Sequence, residues 1–525
     1  MNYQSLEFLI FAAVMLLLYY IVGSKRQLYV LALANLIFFV SSGIKYIPFI
    51  LAVMVVTFYA GKKMGNIYQQ ADEELVACKE ASQKKEIRAN AKRKAKKVLL
   101  FSIVIAVLIL VVCKYTSFIL KNINDVLGIM NIPQITMFKM ILPIGISFYT
   151  FMALSYVLDI YWKRYQAEQK FLMYAVYLSY FPHVVQGPID RFNEFKDQVK
   201  EGIKFDYTKV TFGAQLALWG FFKKLVIADR IGIFVDSVMD SWNKCNGIYL
   251  ILAIAVYSIQ IYADFSGCID IVTGISEMFG IHLRKNFNHP YFSKTIGEFW
   301  RRWHISLQEW FKDYIYFPVS SSSFVKKRKK TLKNKYNNRI PELFTTSFPI
   351  LVVWMVTGIW HGAAWKYVIW GLFHATLLIS SNIVQPYTNK ATELLKIDTS
   401  NFGWHFIQMT RTFILCCVGR IFFRAGSLTI ALKICKRILM NTSIGALFNH
   451  TVYGLEAKDV LVAVFAVIIL WCVDMLQEKM NLRETLAKQN IIFRWVLIFV
   501  GIFAIIIYGI YGPGYDVSSF IYEQF

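Results

Sequence analysis

Two histidines sit where a membrane sequence rarely carries an ionisable group. His361 lies inside an apolar run, in Thr357-Gly358-Ile359-Trp360-His361-Gly362-Ala363-Ala364-Trp365. An ionisable side chain at such depth is costly and points to function. A neutral imidazole can take the proton of an attacking hydroxyl, and an ordinary pKa of about 6.5 suits a general base. Burial would keep that ring neutral. Gly358, Gly362 and Ala363 allow close approach of a backbone or a ligand. The second histidine, His304, falls within Asn286–Pro318. There Glu298, Arg301, Arg302, Glu309, Lys312 and Asp313 alternate with Phe299, Trp300, Trp303, Trp310 and Phe311. The stretch is too charged to span lipid and too aromatic for an ordinary loop, so it reads as an interfacial or re-entrant helix. On one continuous helix Trp300, His304 and Leu307 share a side, which would aim His304 into a bundle.

Each of these residues also has a plainer reading. A lone intramembrane histidine can serve as a hydrogen bond between helices. His374, more than three turns after His361, reads as a packing residue. His183, ahead of Gly187-Pro188, reads as a pore-lining residue. His282, His289, His405 and His450 read as loop or interface residues. Asp264 and Asp270 lie at the end of an apolar run, and Asp264 is either a site residue or the partner of a helix terminus. Ser266 lacks the GxSxG setting of a nucleophile elbow. No HExxH pattern or third ligand accompanies His304 and His361, so no metal is expected. The eight cysteines form no CxxC pair, and they read as small buried hydrophobes.

The elements that must hold these groups are membrane helices. Of 525 residues, 57% are hydrophobic and only 17% charged, with a mean hydropathy of +0.46. Soluble domains carry about 25% charged residues, so neither a soluble enzyme nor a disordered chain fits. The chain reads as an all-α integral membrane protein of about eleven spans, at about 20 apolar residues each, with re-entrant and interfacial helices. A formal charge of +24 comes from basic loops between apolar runs. The positive-inside rule accounts for that surplus, and no nucleic-acid motif is present, so nucleic acid is not an expected partner.

Leu6–Val22 is the first span, uncleaved, with Lys25-Arg26 on its inner side. Leu28–Val40 and Tyr46–Tyr59 follow, then a basic polar stretch, 62–97, expected as a cytoplasmic helix pair. Both basic regions then lie inside and the N-terminus outside. Later apolar segments are Val98–Val112, Ile135–Trp162, Phe171–Ile189, Val210–Ile231, Tyr249–Phe265, Phe344–Val384 (long enough for two), Phe406–Phe423, Leu461–Met475 and Trp495–Tyr511. Breaks at Leu142-Pro143-Ile144-Gly145, Gln186-Gly187-Pro188 and Lys223-Lys224 suggest half-spanning segments, which survive at membrane depth only where protein or a cavity covers them. The basic loop 326–339 should be cytoplasmic. The whole, 1–525, reads as one polytopic domain with no internal repeat.

Six ordered motifs, EFWRRWHISLQEWFKDYIYFP, TGIWHGAAWKYVIWGLFHA, NFNHPYFS, ISFYTFMALSYVLDIY, FPHVVQGPIDRF and ADFSGCIDIVTGISEMFG, resemble the membrane-bound O-acyltransferase (MBOAT) family. The likeness covers 142–375, the expected catalytic core. It is closest to the bacterial branch, which includes the membrane subunit of alginate O-acetyltransferase. The resemblance implies a ring-like helical fold around a central tunnel, in a bacterial cytoplasmic membrane. It implies an O-acyltransferase with no bound cofactor, taking its acyl group from acetyl-CoA or another thioester on the cytoplasmic side. It implies an extracytoplasmic SGNH-type or acyl-carrier partner, a lipid environment and a cell-surface polysaccharide as acceptor. By motif, His361 and His304 would be catalytic: His361 as general base or orienter of the thioester, and His304 as oxyanion donor or proton shuttle. Trp303, Trp360, Asp264, Arg302 and Asn288 are the candidate substrate contacts. D-alanyl transfer to a cell-wall polymer shares the scaffold. A transporter or flippase using the histidines as a proton relay, or a structural scaffold for a polysaccharide synthase, would present similar residues.

Overall fold

A computed structural model describes residues 1–138, 140–336, 339–449, 454–511 and 520. His450, expected as a loop or interface residue, lies outside the described residues. All regular structure among the described residues is helical, apart from one isolated bridge between Phe287 and Trp303. Among the described residues, nine helical stretches are long and apolar enough to cross a membrane, and Leu6–Ile21 and Ile146–Tyr161 are shorter apolar helices. Their outward faces carry large apolar side chains such as Leu100, Phe101, Val104 and Leu108, or Leu461, Val464, Phe465 and Ile468. In water such belts would drive aggregation; in lipid they are the solvent-facing surface. The protein is a multi-pass membrane protein.

The chain divides into two compact units. The first comprises Met1–Ala214 and Val272–Arg284. It holds α1 (Leu6–Ile21), α2 (Gln27–Gly43), α3 (Ile47–Ala77), α4 (Ala81–Ile129), α5 (Ile146–Tyr161), α6 (Phe171–Ser179), α7 (Phe192–Val199) and the first turns of α8 (Tyr207–Phe221). The Ser5 hydroxyl caps α1 by accepting from the Phe8 amide at 3.2 Å, which satisfies one orphan donor of the first turn. The polar stretch 62–97 is the end of α3 and the start of α4, packed together as a helix hairpin around the short turn 78–80. Two expected spans come out shorter. Among the described residues of Ile135–Trp162, only Ile146–Tyr161 is helical. Gly145 precedes it at φ +70°, and a Cβ there would sit 2.1 Å from the Val184 carbonyl oxygen, so only glycine fits. In Phe171–Ile189, helix α6 stops at Ser179 and turns follow.

The second unit comprises Gln215–Ile271 and Lys285–Phe525. After α8 the helix widens into a π-turn over Phe222–Ala228, then continues as α9 (Asp229–Asp240). Next come α10 (Gly247–Met278), whose residues from Val272 on belong to the first unit, α11 (Ile296–Arg302), α12 (Ile305–Phe311), a second π-turn over Lys312–Tyr316, α13 (Phe317–Ser320) and α14 (Ser323–Lys333). The unit ends with α15 (Arg339–His361), α16 (Trp365–Leu394), α17 (Phe402–Arg424), α18 (Leu428–Met440), α19 (Ala457–Gln477), α20 (Leu482–Ala487) and α21 (Ile491–Tyr508). The apolar run expected to hold two spans is the α15–α16 pair. These helices touch backbone to backbone: a Cβ on Gly371 would lie 2.3 Å from the Trp354 carbonyl oxygen, and one on Gly358 would lie 2.5 Å from that of Tyr367. Small residues at a membrane helix interface permit such contact. The close approach that Gly358 allows is therefore made by α16.

Candidate active site

The expected single helix carrying Trp300, His304 and Leu307 is broken. Helix α11 ends at Arg302, Trp303 is extended at φ −109° and ψ 127°, and His304 adopts the left-handed conformation at φ 50° before α12 begins. The break has a tertiary cause. Residues 286–288 run alongside: the Asn288 amide donates to the Arg302 carbonyl at 2.9 Å, and the Ile305 amide donates to the Asn286 carbonyl at 2.9 Å. These bonds repay helical hydrogen bonds lost at the break. Left-handed histidine is uncommon and informative.

The Asn286 side chain then fixes the ring. Its Oδ1 accepts from the Ser306 amide at 3.2 Å and from the Ser306 hydroxyl at 2.9 Å. An amide N–H can only donate, so this atom is the carboxamide oxygen. His304 Nδ1, at 3.1 Å from the same oxygen, must therefore be the protonated nitrogen. The lone pair of the neutral ring lies on Nε2. Burial pushes the His304 imidazole down to about 3, because the desolvated cation is penalised. Phe265 meets the ring edge-on at 4.8 Å. Asn286 was not among the candidates from sequence; only its place in the NFNHPYFS segment pointed to it.

His361 is the last residue of α15 and is buried. Its imidazole is enclosed by Trp360 at 4.9 Å, Trp370 at 4.8 Å and Phe423 at 5.4 Å, all nearly perpendicular to it. The indole of Trp360 also lies 6.1 Å from His304. The two histidines, 57 positions apart in the chain, thus both neighbour one tryptophan. Trp303 is buried, stacked on Phe299 at 5.5 Å, with the Arg420 guanidinium 4.5 Å from its ring.

The other candidates are committed to protein partners. Asp264 is buried and pairs with Lys224 Nζ at 2.8 Å, as does Asp229. Lys223 reaches Asp270 at 2.7 Å and donates to the Ser266 hydroxyl at 2.8 Å. Gly220 and Gly267 bring α8 and α10 together here, since a Cβ on Gly220 would lie 2.6 Å from the Gly267 carbonyl oxygen. Arg302 pairs with Glu298 at 3.0 Å and with Glu478. The Asn288 side chain accepts from Lys285 Nζ at 2.8 Å. In the first unit, His183 is fully enclosed, with Nδ1 3.0 Å from Asp190 and Nε2 2.9 Å from the Tyr177 carbonyl oxygen. That geometry locks a turn rather than lining a pore. Among the described residues, no group of three or more His, Cys, Asp or Glu side chains is arranged to hold a metal ion.

Comparison with known proteins shows the family. The family model described as MBOAT, membrane-bound O-acyltransferase family, matches residues 168–333, which include Asn286 and His304. The chain is 30% identical over 433 residues to a probable alginate O-acetylase, AlgI, of Pseudomonas syringae pv. tomato, covering 82% of this chain and 74% of that protein. It is 28% identical to a peptidoglycan O-acetyltransferase of Helicobacter pylori, over 77% of this chain and 72% of that one. A teichoic acid D-alanyltransferase of Bacillus subtilis is 28% identical over 53% of this chain and 68% of its own. The likeness to the first of these runs well past the profile match, along most of both chains. A helical membrane protein with two histidines gathered at one indole, related in this way, is an O-acyltransferase and belongs to the membrane-bound O-acyltransferase family.

Proposed function

We propose that the protein transfers an acetyl group from a cytoplasmic thioester, acetyl-CoA or an acyl carrier, for O-acetylation of a cell-surface polysaccharide. The observation that carries this reading is the meeting of His304 and His361 at Trp360. Two imidazoles beside one buried indole suit a reaction that moves one proton while an acyl group passes from sulfur to oxygen. The acceptor hydroxyl attacks the thioester carbonyl carbon, forming the C–O bond. His361 takes the hydroxyl proton as general base. The tetrahedral intermediate collapses, the C–S bond breaks, and the thiolate leaves and recovers a proton. Of the two roles open to His304, the fixed tautomer favours relay of the proton through Nε2. An Nε2 lone pair cannot donate to an oxyanion, and burial opposes protonation at neutral pH. Trp360 and Trp303 form walls of the site. Asp264, Arg302 and Asn288 act behind it by holding the helices and the 286–288 segment in place.

The relatives' names support an acyl transfer that ends on a polymer, an alginate, a peptidoglycan or a teichoic acid. The reading places the protein in a bacterial cytoplasmic membrane, N-terminus outside, passing the acyl group to an SGNH-type partner. Purified protein in liposomes, loaded with acetyl-labelled thioester on one side, tests it. Thioester consumption that disappears in His361→Ala is expected. Wild-type consumption by a folded His361→Ala protein would sink the mechanism. Consumption only of a D-alanyl carrier would move the donor class, and substrate counterflow without thioester use would favour a transporter.

A further inference from the structure

A third histidine has a defined tautomer and touches both arms of the site. His374, on α16, is buried, and its Nδ1 accepts from the Trp300 indole N–H at 3.3 Å. Indole nitrogen only donates, so the His374 proton sits on Nε2. Trp300 is four residues ahead of His304, on α11. Its ring meets Trp354 at 4.6 Å, Trp370 at 5.7 Å and His374 at 4.9 Å. Trp370 in turn meets both His374, at 5.0 Å, and His361, at 4.8 Å. Helix α17 closes the far side: a Cβ on Gly419 would lie 2.9 Å from His374 Nε2. Trp300 thus joins the arm that carries His304 to the α15–α16 pair that carries His361, and the hydrogen bond to His374 fixes its rotation.

We propose that His374 is a positioning residue of the acyltransferase, accepting the Trp300 indole proton so that His304 and His361 keep their spacing across Trp360. The proposal rests on the acyl-transfer reading above. Neither Trp300 nor His374 is given contact with substrate, so loss of the bond should lower kcat and leave KM unchanged. A misplacement of about 1 Å costs on the order of a hundredfold in rate.

The test is a double-mutant cycle with kcat and KM of thioester consumption as readout. Trp300→Phe keeps the ring contacts and removes the donor. His374→Leu removes the acceptor. Each should lower kcat by roughly ten- to a hundredfold, and the double variant should be no slower than the worse single one. His374→Asn, whose carboxamide oxygen overlays Nδ1, should recover most of the loss. His374→Gln, whose amide overlays Nε2, should not. Multiplicative losses in the double variant, or equal activity of the Asn and Gln variants, overturn the proposal. If His374→Leu fails to elute as a monodisperse protein, the Asn–Gln pair decides alone. His361→Ala is run beside them, because wild-type turnover there defeats the acyl-transfer reading itself and not this coupling.

Discussion

Asn286 Oδ1 accepts from His304 Nδ1 across 3.1 Å while also receiving two bonds from Ser306. One carboxamide oxygen therefore sets both the rotation and the tautomer of a buried imidazole. It is the same logic by which the partner of a catalytic or metal-bound histidine decides which nitrogen can react.

The first prediction concerns that oxygen. Asn286→Ala leaves His304 free to rotate and to exchange tautomers, and should lower kcat by roughly a hundredfold. Asn286→Asp puts a carboxylate beside Nδ1. An adjacent anion favours the imidazolium, so the acid limb of the pH–rate profile should move to higher pH. An unmoved limb would show that His304 takes no part in proton transfer.

His304 also predicts a pH dependence of stability. Its folded pKa is lowered to about 3 by burial, from an ordinary value near 6.5. Between these values the unfolded chain binds the proton and the folded chain does not. Stability due to this group is therefore present above pH 6.5 and is lost progressively as pH falls from 6.5 toward 3. The thermal midpoint in detergent, measured from pH 7 to 4, should fall less steeply in His304→Asn than in the parent protein. Identical slopes would place the acid sensitivity elsewhere.

The sequence carried much of this, for identifiable reasons. His361 was legible because glycines and an apolar run surround it, and those signals are local. His304 was legible as a residue but not as a geometry. Nothing in RRWHIS, with no glycine or proline, announces a left-handed residue; segment 286–288 imposes the break from outside. Asn286 and Asn288 are two positions apart in NFNHP, and no local pattern says which faces the ring. Hydropathy located apolar segments but not their helical extent. Helix α4 runs for 49 residues because its Lys- and Ala-rich N-terminal half is as good a helix former as its apolar half. Conversely, Ile135–Trp162 is apolar enough to span, yet its helix α5 begins only at Ile146, after Gly145 in the left-handed region.

A packing prediction follows from the α15–α16 contact. Gly371→Ala would place a methyl 2.3 Å from the Trp354 carbonyl oxygen. The helices must separate, at a cost of about 1–3 kcal/mol. Trp354 and Trp370 both touch Trp300, so activity should fall further than stability alone explains. Thermal midpoint and kcat measured together check this; a stable variant with wild-type kcat would mean the contact has slack.

The buried ion pairs give the last prediction. Lys224 bonds Asp229 and Asp264, and all three are largely enclosed. Removing one partner from a buried pair leaves an uncompensated charge, which costs about 3–5 kcal/mol. Lys224→Met should therefore be severely destabilised. Lys224→Met with Asp264→Asn removes one stranded carboxylate and should recover part of the loss, with Asp229, the more exposed of the two acids, turning toward water. Arg302→Ala is the contrast. Its partners Glu298 and Glu478 are partly exposed, and such pairs contribute about 0–1 kcal/mol. Thermal unfolding of the variants in one detergent separates the cases. If Arg302→Ala abolished turnover while leaving the melting midpoint in place, Arg302 would be a substrate contact after all, and its ion pairs would be the resting arrangement of a residue that reaches the acyl donor.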